Sequence, residues 1–256
     1  MFFNIFFLDK PTGYVTGVMK LNKMFHQNVI LILLFYTFHI NSQIPEDVSA
    51  SRACALIKST IYCFGGHTSS DIDGVLTVNN NAYYLNLEQY NDFTTFDRRN
   101  ITWQTGPINL ANDSTILEQR TFAASVPIYY DNSYLVYGGA SDSGSAESLS
   151  LKFPFINFQT SNNQWRSLSL PATNNYTNRG SMVNLGNDTI FIWGGLVQST
   201  SNVSQNFVHF YDYKSAAWGP SIYSNLPMRS EHTATLGGDN MIYVLGDLSI
   251  QPHIVN

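Results

Sequence analysis

Four short apolar runs stand out along the chain because no charged residue interrupts them. They are Ile61-Tyr62-Cys63-Phe64, Tyr134-Leu135-Val136-Tyr137, Ile190-Phe191-Ile192-Trp193 and Ile242-Tyr243-Val244-Leu245. Each is rich in β-branched and aromatic residues and does not alternate with polar ones. That pattern fits strands buried on both faces, as when one sheet lies between two others. The first three runs end in glycine pairs, Gly65-Gly66, Gly138-Gly139 and Gly194-Gly195, and the fourth keeps only Gly246 before Asp247. A glycine at that place ends a strand where the chain turns through positive φ or passes close to a neighbour.

Other features recur around these runs in a fixed order. An arginine precedes each: Arg52, Arg120, Arg179 and Arg229. Between arginine and run come a mixed strand and a turn, at Lys58-Ser59, Asp131-Asn132, Gly186-Asn187-Asp188 and Gly238-Asp239. Strand-like segments joined by such turn chemistry predict a β-hairpin. Beyond the first three glycine pairs lie Trp103, Trp165 and Trp218, each preceded by an aromatic residue: Phe96, Phe158 and Tyr211. An aromatic strand, a polar turn and a Trp-bearing strand make a second hairpin, so each repeat predicts a four-stranded antiparallel sheet. In the first repeat, Ala82–Leu87 and Phe93–Asp97 both qualify as the third strand, and spacing does not choose between them.

Arginine, hairpin, Gly-Gly, aromatic strand and tryptophan, recurring at intervals of roughly 50 to 70 residues, resemble the kelch repeat. The chain is also similar, more softly, to the kelch-containing, galactose-oxidase-central-domain-like secreted proteins of fungi. The resemblance implies an all-β, kelch-type β-propeller over residues 44–256, with repeats at about 52–107, 120–171, 179–222 and 229–256. It gives three complete four-stranded blades plus part of a fourth. Because propellers close with 4–8 blades, the expectation is an incomplete ring whose last blade has an unpaired edge and an exposed apolar face. It also implies that the four arginines donate hydrogen bonds to carbonyls between blades, or else line one face and meet acidic partners.

The amino terminus carries a targeting pattern. Val29 to Ile40 is an apolar run of 12 residues, short for crossing ~30 Å of hydrocarbon as a helix. Lys20 and Lys23 precede it and Asn41-Ser42 offers a cleavage site. Counted from Met19 the signal peptide spans residues 19–42, within the usual length of about 15–30. Residues 1–18 then read as a mis-annotated extension. The expected location is secreted or cell-surface, with any membrane tether lying outside this sequence.

Composition narrows the function classes. Charged residues make up 12 % of the chain and aromatics 14 %, where soluble domains carry about 25 % charged residues. That balance suits an all-β extracellular protein. A net charge of −5 leaves no basic stripe for phosphates, so nucleic acid is excluded as a partner. The adjacent pair Arg98-Arg99 reads as a solvated loop.

Cys54 and Cys63 are the two cysteines, and both fall in the first hairpin. A two-residue turn at Lys58-Ser59 places them opposite one another at a non-hydrogen-bonded pair, with Cα atoms about 4.5 Å apart. A disulfide can bridge that distance. Closing a loop of about ten residues contributes roughly 2.7 kcal/mol in the chain-entropy model. Five sequons name glycosylation acceptors on a secretory route: Asn100, Asn112, Asn175, Asn187 and Asn202.

Catalytic chemistry is sparse. His67, His209, His232 and His253 form no close ligand pair with one another or with cysteine, so neither a metal nor another cofactor is expected. A copper-radical oxidase of the galactose oxidase type needs a thioether-forming cysteine, and both cysteines here are assigned to the disulfide. Asp71-Ile72-Asp73-Gly74 lacks the later Glu of a calcium loop and reads as a polar loop tip. Glu231-His232 falls at a blade entry, a structural or central-channel position. No phosphate loop, nucleotide fingerprint or Ser/His/Asp order appears. The expected function is a non-enzymatic interaction module that binds protein or glycan through inter-strand loops, first of all Gly66–Phe96 and Ala140–Leu149. The alternatives are a fragment of an extracellular galactose-oxidase-like enzyme, or the ectodomain of a single-pass membrane protein.

Overall fold

The computed structural model describes residues 5–7, 51–69, 76–89, 102–111, 117–141, 151, 153–168, 177–197, 207–219, 222–223, 229–230, 232–245 and 248–249. Several expectations fall outside them: the signal peptide, Phe96, Arg98-Arg99, Asp71–Gly74, Glu231, Gly246, His253, most of the loop 140–149, and Asn100, Asn112, Asn175 and Asn202.

Each repeat folds into one antiparallel sheet. Blade 1 is β1 (Ala53–Ile57), β2 (Thr60–Phe64), β3 (Ala82–Asn86) and β4 (Gln104–Thr105), hydrogen-bonded in that order. The third strand of the first repeat is therefore Ala82–Asn86, which pairs with β2 along its whole length, from Thr60↔Asn86 to Phe64↔Ala82. Blade 2 is β5 (Ala124–Ile128), β6 (Ser133–Tyr137), β7 (Phe155–Gln159) and β8 (Gln164–Leu168). Blade 3 is β9 (Ser181–Asn184), β10 (Thr189–Trp193), β11 (Phe207–Asp212) and β12 (Ala217–Trp218). Blade 4 contributes β13 (Thr233–Leu236) and β14 (Ile242–Leu245).

The edge of β14, expected to be unpaired, carries the strand Ile5–Phe7 in parallel, with Ile5↔Ile242 and Phe7↔Val244 in register. An open strand edge presents a row of free N–H and C=O groups, which a second strand satisfies.

The sheets stack face to face. The first strands β1, β5, β9 and β13 lie side by side in sequence, so the four hairpins share one inner line. Between blades 1 and 2, Ala53, Ala55, Ile57 and Phe64 pack against Tyr134, Val136, Ile156, Phe158 and Trp165. Between blades 2 and 3, Val126, Ile128, Leu135, Tyr137 and Phe155 meet Met182, Ile190, Ile192 and Tyr211. Between blades 3 and 4, Val183, Phe191, Trp193 and Val208 meet Ile242 and Val244. Alternation inside β6 thus sends Tyr134 and Val136 to one neighbour and Leu135 and Tyr137 to the other. This is why its sequence shows no polar interruption.

The tryptophans of β8 and β12 face the preceding blade. Trp165 rests 4.5 Å from the Phe64 ring and 5.0 Å from Phe158. Trp218 meets Phe155 at 5.6 Å and Tyr211 at 5.2 Å. In blade 1 the corresponding face holds Cys54, Leu56, Ile61, Cys63, Leu85 and Trp103. Cys54 and Cys63 are in register and bonded, with Cα atoms 4.1 Å apart.

Candidate functional site

The topology gives the stack two unlike ends. At one lie the turns inside each hairpin; at the other lie the glycine pairs and the arginine segments that enter each blade.

At the glycine–arginine end the recurrent residues knit blade to blade. The Gly66 N–H donates to the Arg120 carbonyl at 2.8 Å, and the Gly195 N–H to the Arg229 carbonyl at 2.7 Å. Gly65 has φ +72°, and a Cβ there would stand 2.2 Å from the Arg120 carbonyl oxygen. Gly194 has φ +70°, and its Cβ would lie 2.7 Å from the Arg229 carbonyl oxygen. Only glycine allows both the left-handed turn and the close approach.

The Arg120 side chain is fully buried. It donates to the carbonyls of Gly138 and Pro154, both at 3.2 Å, and of Phe153 at 2.6 Å. It also pairs with the Glu118 carboxylate at 3.3 Å, which in turn accepts the Phe153 N–H at 3.0 Å. Burial lowers Arg120 to about 10, with Glu118 opposing that shift. It therefore stays charged at neutral pH. Its carbonyl acceptors belong to its own blade, and it is the main chain that reaches the previous one: the Arg120 carbonyl accepts the Gly66 N–H and the Arg120 N–H donates to the Asn79 carbonyl at 3.2 Å. The expected inter-blade role thus falls to the main chain of Arg120, not to its guanidinium. Arg229 is also buried. Arg52 lies over the Tyr83 ring at 4.2 Å and Arg179 over Phe122 at 4.3 Å.

A second inner seam runs through Ser51, Phe122 and Arg179, with φ of 57°, 55° and 58°. The Phe122 N–H donates to the Ser51 carbonyl at 3.1 Å, and the Arg179 N–H to the Phe122 carbonyl at 2.8 Å.

Among the described residues, His67, His209 and His232 pack within this framework. His67 Nδ1 is 2.7 Å from Thr121 Oγ1, and burial followed by the charge of Arg179 lowers its pKa. Burial likewise lowers His209, whose ring lies 6.0 Å from Trp218. His232 Nε2 is 2.8 Å from Ser181 Oγ, and its ring lies 4.8 Å from Trp193. Burial, then the Arg229 charge, lowers His232 to about 4. The Ser181 and His232 side chains are both buried where blades 3 and 4 meet. Among the described residues no three His, Cys, Asp or Glu side chains gather to hold a metal ion.

The turn end is different. Five of the six carboxylates among the described residues lie there: Glu88, Asp131, Asp188, Asp212 and Asp239, with Lys58 and Lys214. Tyr129 and Tyr130, in the turn between β5 and β6, are 63 % and 72 % exposed. Their turn is held rigidly. Asp131 accepts from the Ser133 hydroxyl and, at 3.0 Å, from the Tyr213 hydroxyl of blade 3. Buried Asp188 accepts the Tyr129 N–H at 3.3 Å and the Asn184 amide at 3.0 Å. The same amide donates to the Pro127 carbonyl at 2.9 Å. Burial, more than the neighbouring Asp131, raises the Tyr213 phenol, so it remains a donor at any physiological pH. Lys214 reaches back from blade 3, its Nζ 3.6 Å from Asp188 and 5.0 Å from the centre of the Tyr130 ring. Asn187 is exposed in the adjacent blade 3 turn.

Reading the recurrent elements passes over Tyr129 and Tyr130 because they do not recur. The available signal was their departure from pattern: two aromatic residues ahead of Asp131-Asn132, where the longer turns of blades 3 and 4 carry Leu185-Gly186 and Gly237-Gly238.

Four-stranded sheets stacked along a common inner line, with the first and third glycine pairs clasping the next blade's arginine segment, define a β-propeller of kelch repeats. The chain matches the model of the KLHDC2/KLHL20/DRC7 Kelch-repeats domain over residues 51–253, and it belongs to that family. No curated protein matches it. Kelch-repeat domains of this kind are typically non-enzymatic modules of protein interaction.

Proposed function

We propose that this chain is a kelch interaction module of the secretory route that binds a protein partner on its turn face, centred on Tyr129 and Tyr130. The observation that carries the reading is the exposure of both rings on a turn fixed by Asp131, Asp188, Asn184 and Tyr213. Rigid, amphipathic aromatic side chains supply contact area at low conformational cost and dominate protein–protein hot spots. The secretory part rests on the apolar run Val29 to Ile40 and on a Cys54–Cys63 bridge, chemistry that persists in oxidising compartments.

A photo-crosslinking amino acid at position 130, with a matched one at Arg179 on the opposite face, tests the docking reading. Protein crosslinks that concentrate at position 130 and are competed by unlabelled protein are expected. Crosslinks confined to position 179, or capture of glycan alone, would overturn it. Secretion is tested by expressing the frame from Met19 in a eukaryotic host, where a mature amino terminus following Ser42 is expected, with the edge of β14 released from Ile5–Phe7.

A further inference from the structure

We infer that the partner segment docking on Tyr129 and Tyr130 is cationic, an Arg- or Lys-bearing stretch of protein; this rests on the turn face being the docking face. Three independent features point to that chemistry. An ammonium group already occupies the site: Lys214 Nζ stands 5.0 Å from the centre of the Tyr130 ring, within the range of a cation–π contact. Lys214 is itself half exposed, so its place on the ring is open to exchange with a cation from solution.

The surroundings carry the complementary sign. Asp131 follows Tyr130 in the turn and Asp188 accepts the Tyr129 N–H while facing Lys214, and like-charged partners are repelled by carboxylates so placed. Asp131 and Asp188 are also held in place by internal donors. A carboxylate offers about four acceptor sites, so Asp131 keeps capacity beyond its two internal bonds. A guanidinium suits this arrangement because its plane stacks on an aromatic ring while its edge donates to a carboxylate.

The arrangement makes Lys214 an internal competitor. Removing its charge frees the Tyr130 ring and adds one net negative charge, so an incoming cation binds more tightly. A site that recognises apolar surface alone responds little to that change.

The test uses the whole chain and a labelled ten-residue peptide in which Arg alternates with Gly and Ser, beside counterparts carrying Gln or Glu in place of Arg. Anisotropy titrations at low and physiological salt are expected to show saturable, salt-weakened binding of the Arg peptide and at least tenfold weaker binding of the other two. Lys214→Gln should tighten the Arg peptide about threefold or more. Tyr130→Leu, which keeps apolar area but removes the ring, should weaken it about tenfold, while Tyr130→Phe retains it. No saturable binding of the Arg peptide, equal binding of the Gln peptide, or weaker binding to Lys214→Gln would overturn the inference. If the Gln peptide binds as well and Tyr129→Ser/Tyr130→Ser abolishes both, the docking reading stands and only the cationic partner falls. If the tyrosine substitutions change nothing, both fall.

Discussion

The two ends of the propeller use charged and aromatic side chains in opposite ways. At the glycine–arginine end, Arg120 and Arg229 are buried, and the Arg120 guanidinium is tied to three carbonyls and a carboxylate within its own blade. At the turn end, Tyr129 and Tyr130 face solvent while Asp131, Asp188 and Asn184 hold the turn beneath them and Lys214 stands over the Tyr130 ring. The first end repeats from blade to blade and the second does not. Recurrence in a repeat protein therefore marks the residues that every blade needs to stand on its neighbour. A binding surface is sought where one blade departs from the others.

That contrast is sharpest for stability. Arg120→Met strands the Glu118 carboxylate and three carbonyls in a buried site, and a cost of about 3–5 kcal/mol is expected in chemical denaturation. A loss under 1 kcal/mol would show that the arginine end tolerates change as the turn end does. Gly65→Ala forces a Cβ to 2.2 Å from the Arg120 carbonyl at φ +72°. About 3–4 kcal/mol is expected, since both the left-handed backbone and the seam between blades 1 and 2 must yield.

Acid should act at the same end. His232 has its folded pKa lowered to about 4 from a reference of 6.5. The unfolded chain therefore binds the proton first, and stability present above pH 6.5 is lost as the pH falls towards 4. The loss amounts to about 3 kcal/mol at most. Denaturation midpoints across that window should fall, and His232→Gln should flatten this component of the slope. The smallest effect belongs to the turn end. Tyr129→Ser/Tyr130→Ser is expected to leave stability within about 0.5 kcal/mol, as for exposed sites without buried partners, while removing partner binding. A large loss of stability there would make the tyrosines structural and collapse the comparison.

Much of the architecture was legible because unbroken apolar runs such as Tyr134–Tyr137 leave few alternatives to a doubly buried strand. The glycine pairs were legible as strand ends, although only the folded chain shows that Gly65 and Gly194 lie against the next blade's backbone. The choice of Ala82–Asn86 as a third strand needed the pairing partner β2, because local composition fitted two segments equally. The role of Arg120 was legible as hydrogen bonding but not as bonding inside its own blade, since its acceptors at Gly138, Phe153 and Pro154 are brought near it only by the sheet. Strand pairing at the edge of β14 was unreadable for the same reason. Ile5–Phe7 and Ile242–Leu245 lie at opposite ends of the chain, and no local pattern encodes their meeting. The exposed tyrosine pair of the proposed docking face escaped notice because exposure depends on what packs nearby, and an aromatic pair in sequence reads first as core.

The seam through Ser51, Phe122 and Arg179 joins successive blades by main-chain hydrogen bonds from residues of different kinds in one backbone conformation. Docking between neighbours at that line is written in peptide groups rather than in side chains, so any copied unit arrives already able to engage the unit before it. Duplication can then lengthen such a gene one module at a time without inventing a new interface at each step. The hairpin turns meanwhile stay free to diverge, so a single unit can acquire a pair of tyrosines where its longer-turned siblings carry leucine and glycine.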